Sequence, residues 1–129
     1  MKEDRNTILI VEDQKINRTI LRYMIQNAYD VLEAENGAEA WSILEEKNEE
    51  IIAILLDIVM PVMDGYEFLK KLKGSRWESI PVIAMTGDSD ITTEERTLEL
   101  GAWDFIIKPY KERILMTRLK NAIARSRMG

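Results

Sequence analysis

Short apolar runs and amphipathic stretches alternate five times along the chain. The apolar runs are rich in β-branched and aliphatic residues with little polar alternation, which predicts strands covered on both faces. They occupy residues 7–11, 29–34, 51–56, 80–85 and 102–107. A stretch with helical spacing of apolar residues follows each run. Five strand–helix units in series imply a parallel sheet joined by right-handed crossovers.

The pattern therefore predicts an α/β domain with a doubly wound, flavodoxin-like sheet of five strands and five helices, in strand order 2-1-3-4-5. Residues 51–56 are the most apolar and are expected at the centre, whereas residues 29–34 are more polar and are expected at an edge. The stretch after the first strand carries Ile16, Ile20, Tyr23, Met24 and Asn27 at spacings of three and four, which predicts a helix. The last helix is expected to carry Leu115, Leu119, Ala122 and Ile123 along one side.

The chain has 129 residues, the size of one domain. We assign residues 1–125 to that domain and residues 126–129 to a C-terminal tail, which is either the start of a linker or a truncation remnant. No apolar run reaches the roughly 18–20 residues of a membrane helix, and the N-terminus lacks the features of a signal peptide. The absence of cysteine suits a reducing compartment, so the expected location is the cytoplasm.

Charge is distributed unevenly along the sequence. Residues 1–107 carry 11 basic and 22 acidic side chains, whereas residues 108–129 carry 7 basic and 1 acidic. The acidic body argues against direct nucleic-acid binding by the domain. The basic end is either a helix whose cations favour the negative end of its dipole, a linker, or a partner-binding tail.

Polar side chains follow four of the five predicted strands. They are Glu12 and Asp13 after the first, Asp57 after the third, Thr86 after the fourth and Lys108 after the fifth. The edge strand, which ends at Ala34, is expected to contribute nothing. Ligands of such sheets bind beyond the carboxyl ends of the strands, where the strand order reverses, so we expect Asp13 and Asp57 to be neighbours.

These residues suit phosphoryl transfer with a hard cation. The absence of histidine and cysteine restricts any metal to oxygen ligands, which favours Mg²⁺, and closely packed carboxylates repel one another unless a cation neutralises them. Asp57 is a candidate nucleophile, Lys108 a cationic clamp and the Thr86 hydroxyl a donor. Each residue alone has an ordinary structural explanation, such as a helix cap for Asp13, so the prediction depends on their convergence.

Four segments of the sequence resemble the bacterial two-component response regulator receiver domain. They are ILIVEDQKINRTIL, ILLDIVMPVMDGYEFL, PVIAMTG and GAWDFIIKP, and the likeness is collinear from about residue 7 to about residue 125. The resemblance implies that Asp57 accepts a phosphoryl group from a phosphohistidine donor, either a sensor histidine kinase or a histidine phosphotransfer protein. The implied cofactor is Mg²⁺, for which Mn²⁺ can substitute.

The resemblance also implies a role for each residue of the site. The implied metal ligands are Asp13, Asp57 and the backbone carbonyl of Val59, with Glu12 acting through a water. The implied phosphoryl-binding residues are Thr86, Gly87 and Lys108. Thr86 and Phe105 would form the conformational switch, and the bond between Lys108 and Pro109 would be cis.

Two variable positions of the family bear on the lifetime of the phosphoryl group. Val59 cannot orient a water by hydrogen bonding, whereas Asp88 can perturb one electrostatically, so we expect slow-to-moderate autodephosphorylation. Gly87 fits the position where a small residue gives access to Asp57. The module would catalyse its own phosphorylation and slow hydrolysis, and is not expected to be a dedicated enzyme.

Phosphorylation is expected to switch the surface formed by the fourth helix, the fifth strand and the fifth helix. Through this surface the domain would form a phosphorylation-dependent homodimer or bind a downstream effector. Strand alternation places Trp103 and Phe105 on the same side, so Trp103 is either core or part of that surface. The chain is either a single-domain regulator or the receiver excised from a longer protein.

Three other classes of function compete with this interpretation. A haloacid-dehalogenase-type Mg²⁺ phosphatase needs a second acid two residues after the nucleophile, where this chain has Val59. A flavodoxin-like cofactor binder needs backbone donors after the first strand, where Glu12 and Asp13 would repel a phosphate. The complete acidic set argues against a docking module that is independent of phosphorylation.

Overall fold

The computed structural model describes residues 6–60, 64–87 and 91–128. The strands are β1 (Thr7–Val11), β2 (Asp30–Ala34), β3 (Ile51–Asp57), β4 (Val82–Thr86) and β5 (Asp104–Ile107). The helices are α1 (Lys15–Ile25), α2 (Gly37–Lys47), α3 (Gly65–Leu72), α4 (Ile91–Glu99) and α5 (Glu112–Met128), with a short 3-10 turn at Asn48–Glu50. All strand pairs are parallel and the order is β2-β1-β3-β4-β5, which confirms the predicted fold.

The sheet is covered on both faces, which explains the lack of polar alternation in β1. Every residue of β1 is buried. Leu9 and Val11 pack into a cluster shared with α2 and α3, here called the α2–α3 core. Ile8 and Ile10 pack into a second cluster shared with α1 and α5, the α1–α5 core. Burial of alternate side chains on opposite faces makes the strand apolar throughout.

The first turn of α3 lies directly against the end of β3. Asp64 caps the helix by accepting the Glu67 N–H at 2.9 Å, and the Gly65 N–H donates to the Ile58 carbonyl at 2.9 Å. A Cβ at Gly65 would lie 2.5 Å from the Ile58 Cα and 2.7 Å from the Asp57 carbonyl oxygen. Glycine is therefore required for this approach, which fixes the backbone that carries Asp57.

The predicted first helix is present, but Ile16, Ile20 and Tyr23 do not form its buried face. Ile16, Ile20 and Tyr23 are 69%, 41% and 74% exposed, whereas the buried residues of the helix are Arg18, Leu21 and Ile25. The sequence carries two stripes at helical spacing, and apolar count alone selects the wrong one. The guanidinium of Arg18 finds acceptors in the β1–α1 turn and on β2, so its burial is compensated and that stripe faces the sheet.

The last helix buries the predicted residues, Leu115, Leu119, Ala122 and Ile123. It continues through Met128 without a break at Arg125, so the described part of the assigned tail is helical. Gly129 lies outside the described residues. The strands β4 and β5 each begin two residues later than predicted, at Val82 and Asp104.

Candidate functional site

The strand order brings the predicted acidic residues to one edge of the sheet. In the parallel register Val11 of β1 pairs with Leu56 of β3, so the residues that follow these two positions are neighbours. Carboxylate oxygens of Glu12, Asp13 and Asp57 all lie within 4.8 Å of one another. Asp13 and Asp57 are neighbours, as the topology predicted.

An open cleft of about 480 Å³ lies above this acidic cluster. Its lining residues are Asp13, Gln14, Asp57, Val59, Met60, Gly87 and Lys108. The Asp57 residue is only 3% exposed, and Glu12 is fully buried beneath the cleft. Val59 also lines this cleft and is 72% exposed at its rim.

The buried carboxylate of Glu12 is held by donors on both oxygens. Its Oε2 accepts the Gln14 N–H at 3.0 Å, and its Oε1 accepts from Lys108 Nζ at 3.3 Å and from the Tyr110 hydroxyl at 3.4 Å. Burial alone would raise the pKa of Glu12, but the Gln14 amide and the Lys108 ammonium bring it below its ordinary value. Glu12 is thus an anion fixed at the base of the site.

The negative charge of Asp57 has fewer donors around it than that of Glu12. Its Oδ1 accepts the Val59 N–H at 3.2 Å, and its Oδ2 lies 3.5 Å from Lys108 Nζ. Burial, together with the neighbouring charge of Glu12, raises the pKa of Asp57 to about 7. Burial and Glu12 also raise the pKa of Asp13. Among the described residues of the site, one lysine therefore faces three carboxylates. An oxygen-bound divalent cation would offset this excess of negative charge, and the donor set fits Mg²⁺.

The remaining predicted residues surround the acidic cluster on one side. Thr86 is 1% exposed at the end of β4, and its carbonyl accepts the Lys108 N–H at 2.7 Å. Gly87 is exposed on the cleft, where an added Cβ would meet open space. Phe105 is buried in the α2–α3 core, and the bond between Lys108 and Pro109 is cis, as the resemblance implied. Asp88 lies outside the described residues.

Trp103 and Phe105 do not share a side, contrary to the prediction from strand alternation. Trp103 precedes β5 and is half-buried, and its ring lies 5.1 Å from the guanidinium carbon of Arg125 on α5. Phe105 belongs to the α2–α3 core, on the opposite face from α5. Alternation fails here because the strand starts only at Asp104.

Three features of the site were not identified from the sequence, namely the edge strand β2, Tyr110 and Arg18. The edge strand does contribute, since the Ala34 carbonyl accepts the Glu12 N–H at 3.0 Å and Glu33 binds Arg18 on α1. Tyr110 reaches Glu12 from beyond the cis bond. A polar aromatic two residues after Lys108 was the available signal for Tyr110, whereas the Arg18 contact depends on how α1 is rotated.

Comparison with known proteins decides the family. The family model described as the response regulator receiver domain matches residues 8–120. The chain belongs to the response regulator receiver domain family. This receiver domain is 34% identical over 122 residues to the transcriptional regulatory protein SrrA of Staphylococcus aureus, covering 94% of this chain and 49% of that protein. It therefore spans about half the length of the curated relatives it matches.

Solved receiver domains have the same fold as this one. The signal receiver domain of a signal transduction histidine kinase from Syntrophus aciditrophicus is 36% identical, with a TM-score of 0.83 over 92% of this chain and 90% of that chain. The receiver domain of the sensor histidine kinase PA1611 from Pseudomonas aeruginosa is 30% identical, with a TM-score of 0.84 over 92% and 98%. That structure holds a magnesium ion coordinated in its active site cleft.

Across the described ranges of this receiver domain, no helix has both the length and the apolar character to cross a membrane.

Proposed function

We propose that this receiver domain accepts a phosphoryl group on Asp57 from a phosphohistidine donor. The observation that carries the proposal is the cluster of Glu12, Asp13 and Asp57 oxygens within 4.8 Å of one another, with Lys108 Nζ 3.5 Å from Asp57. A carboxylate nucleophile and a cationic clamp in an open cleft are what phosphoryl transfer requires of the protein. An Asp57 oxygen forms the new bond to phosphorus as the bond from phosphorus to the donor imidazole breaks.

The cation belongs to this proposal. Asp13, Asp57 and the backbone carbonyl of Val59 would hold Mg²⁺, with Glu12 holding one of its waters, and Mn²⁺ would substitute. The cation supplies charge neutralisation for the carboxylates and for the incoming phosphoryl oxygens. Support comes from the donor set, which consists of oxygen ligands of the kind that Mg²⁺ prefers.

Residues on β4 and after β5 would bind the phosphoryl group. In the unphosphorylated domain Lys108 contacts Glu12 and Asp57, so its ammonium needs to move only a short distance to contact a phosphoryl oxygen on Asp57. The Thr86 hydroxyl and the Gly87 backbone would donate to other phosphoryl oxygens. No group from the donor protein other than its phosphohistidine is needed, so the domain catalyses its own phosphorylation.

The phosphoryl group should be lost slowly. Val59 stands at the exposed rim of the cleft and offers no hydrogen bond from its side chain to orient an attacking water. Asp88, the second position expected to affect this rate, lies outside the described residues. Val59→Asn is expected to speed acyl-phosphate decay, and an unchanged decay rate would remove Val59 from the account.

The exposed stripe of α1 supports docking of a helical donor. Ile16, Ile20 and Tyr23 are spaced by four and three residues, the spacing with which one helix packs along another, and α1 begins two residues after Asp13. A kinase or phosphotransfer protein seated there would lie beside the cleft. Tyr23→Ala should slow transfer from a phosphorylated donor protein and leave phosphorylation by phosphoramidate unchanged; equal effects on both would contradict this role.

The output surface is proposed to be α4, β5 and α5. Leu98, Ile107 and Ile114 are exposed apolar residues of these three elements, and a cleft of about 400 Å³ lies among β5, Pro109 and α5. Phosphorylation would act through Thr86 and Phe105 on this surface, leading to a homodimer or to effector binding. Analytical ultracentrifugation with and without phosphoramidate distinguishes these outcomes, since only a homodimer changes the mass of the isolated domain.

We further propose that residues 1–125 form the functional unit and that the domain works in the cytoplasm without binding nucleic acid directly. The acidic body and the absence of cysteine support these assignments.

Intact-mass measurement tests the proposed function. Incubation with Mg²⁺ and acetyl phosphate should add the mass of one phosphoryl group to the wild type and none to Asp57→Asn. A matched control is Asp64→Asn, because Asp64 caps α3 and is separate from the acidic cluster. Labelling of Asp57→Asn to the wild-type extent would overturn the assignment.

A further inference from the structure

Arg18 is buried on α1 and contacts the backbone carbonyls of Glu12 and Asp13. It is 7% exposed, although arginine is seldom buried without a partner. Its Nη1 donates to the Glu12 carbonyl at 2.9 Å and to the Asp13 carbonyl at 3.3 Å. No side-chain contact joins it to Asp57 in the described part of the chain, so its effect on the site passes through the β1–α1 turn.

The Glu12 peptide is held from both sides as a result. Its N–H donates to the Ala34 carbonyl at 3.0 Å, and its own carbonyl accepts from Arg18. Fixing these groups fixes the backbone dihedrals around Glu12 and Asp13, which decide where the two carboxylates point. Metal ligands depend on such supporting hydrogen bonds for their orientation.

The charge of Arg18 is compensated on the side away from the metal cluster. Its Nε donates to Glu33 at 3.1 Å, and its Nη2 lies 3.7 Å from Glu35. Burial would raise the pKa of Glu33, but the guanidinium groups of Arg22 and Arg18 bring it below its ordinary value. Because Glu33 neutralises it, Arg18 can lie close to a cation site and act mainly through geometry.

We propose that Arg18 is a positioning residue that holds Glu12 and Asp13 in the arrangement that binds a divalent cation. The planar fork of arginine can reach two carbonyls and a carboxylate at once, whereas a lysine ammonium on a flexible stem cannot hold all three in one geometry. This inference rests on the proposed function, since the cation it concerns is the one that assists phosphorylation of Asp57.

The test is a Mn²⁺ titration of Arg18→Met, Arg18→Lys and Arg22→Met, followed by the electron paramagnetic resonance signal of free Mn²⁺. Arg22 is the matched control because it binds the same Glu33 one turn along α1 and donates to neither turn carbonyl in the described structure. Arg18→Met is expected to weaken Mn²⁺ binding about tenfold or more, the effect seen when supports of metal ligands are removed. Arg18→Lys should be intermediate, and Arg22→Met should remain close to wild type.

Phosphorylation kinetics give a second readout. In Arg18→Met the Mg²⁺ concentration for half-maximal phosphorylation by phosphoramidate should rise by the same factor, while the rate at saturating Mg²⁺ changes little. If Arg18→Met lowers the melting temperature but leaves Mn²⁺ affinity unchanged, the proposal is overturned. Wild-type Mn²⁺ affinity in Arg18→Lys would also overturn it. The Arg18→Lys variant provides the test if Arg18→Met does not fold. If wild type is never phosphorylated, the proposed function fails, yet the Mn²⁺ titration still decides the role of Arg18.

Discussion

The buried carboxylate of Asp57 should make the metal-free protein less stable as the pH rises. An unfolded aspartate ionises near pH 3.8, whereas the pKa of folded Asp57 is raised to about 7 by burial and by the charge of Glu12. Between these values the folded protein binds one proton that the unfolded chain has lost. Stability therefore falls as pH increases through this interval, and the loss is complete above about pH 7.

The size of the effect follows from the shift. Each pKa unit corresponds to about 1.4 kcal/mol, so a shift of about three units costs roughly 4 kcal/mol in full. About 2–3 kcal/mol of this loss in stability occurs between about pH 5 and pH 8. The remainder occurs below about pH 5, where the carboxyl of the unfolded chain ionises. Asp57 is 3% exposed, so solvent screening does not remove this contribution.

The assay is urea unfolding in EDTA at a series of pH values, for wild type and Asp57→Asn. The asparagine side chain does not ionise, so the variant should lose about 2–3 kcal/mol less stability than wild type over this range. Asp30→Asn is the control, since Asp30 is exposed at the start of β2. Added Mg²⁺ should restore wild-type stability at pH 8, because it binds the folded state alone. Parallel pH profiles for wild type and Asp57→Asn would refute the reasoning.

Two further substitutions test the supports of the site and of α2. Gly65→Ala should destabilise the fold by about 2–3 kcal/mol and reduce phosphorylation, because the added Cβ would lie 2.5 Å from the Ile58 Cα. Gly87→Ala is the control, since an added Cβ there would meet open space, and it should leave stability to urea nearly unchanged. Asn36→Ala should cost about 1 kcal/mol in urea unfolding with unaltered phosphorylation, because Asn36 Oδ1 accepts the Glu39 N–H at 2.8 Å as a helix cap. Wild-type stability of Gly65→Ala, or lost phosphorylation in Asn36→Ala, would contradict these assignments.

The sheet is predictable from the sequence because its strands are buried on both faces and therefore appear as continuous apolar runs. The strand order then places the end of β1 beside the end of β3, which brings Asp13 and Asp57 together. Their meeting follows from the general rule for ligand sites in such sheets, and needs only the element order.

The sequence pattern does not determine how an element is rotated about its own axis. On α1 the apolar stripe with Ile16 and Tyr23 is exposed, whereas Arg18 is buried, because a guanidinium surrounded by acceptors is not an unsatisfied charge. Periodicity counts apolar residues and takes no account of acceptors that arrive from another strand. The side predicted for Trp103 was wrong because side chains alternate between faces only within a strand, and β5 starts at Asp104, one residue after Trp103.

The same limit hid the structure around Glu12. Its partners Lys108 and Tyr110 lie 96 and 98 residues further along the chain, on either side of Pro109, and local pattern carries no information about such distances. The edge strand was thought to be uninvolved because it ends in Ala34. Its contribution is a backbone carbonyl, which every residue has.

The central claim is that Asp57 carries the phosphoryl group, and the most direct measurement is to locate that group. Protein treated with Mg²⁺ and phosphoramidate would be reduced with borohydride, which converts an aspartyl phosphate to homoserine, and its peptides sequenced by mass spectrometry. The account predicts homoserine at position 57 and at no other acidic position. Homoserine at Asp13, 5-hydroxynorvaline (the reduction product of a glutamyl phosphate) at Glu12, or neither product in a protein that has gained a phosphoryl group would contradict it.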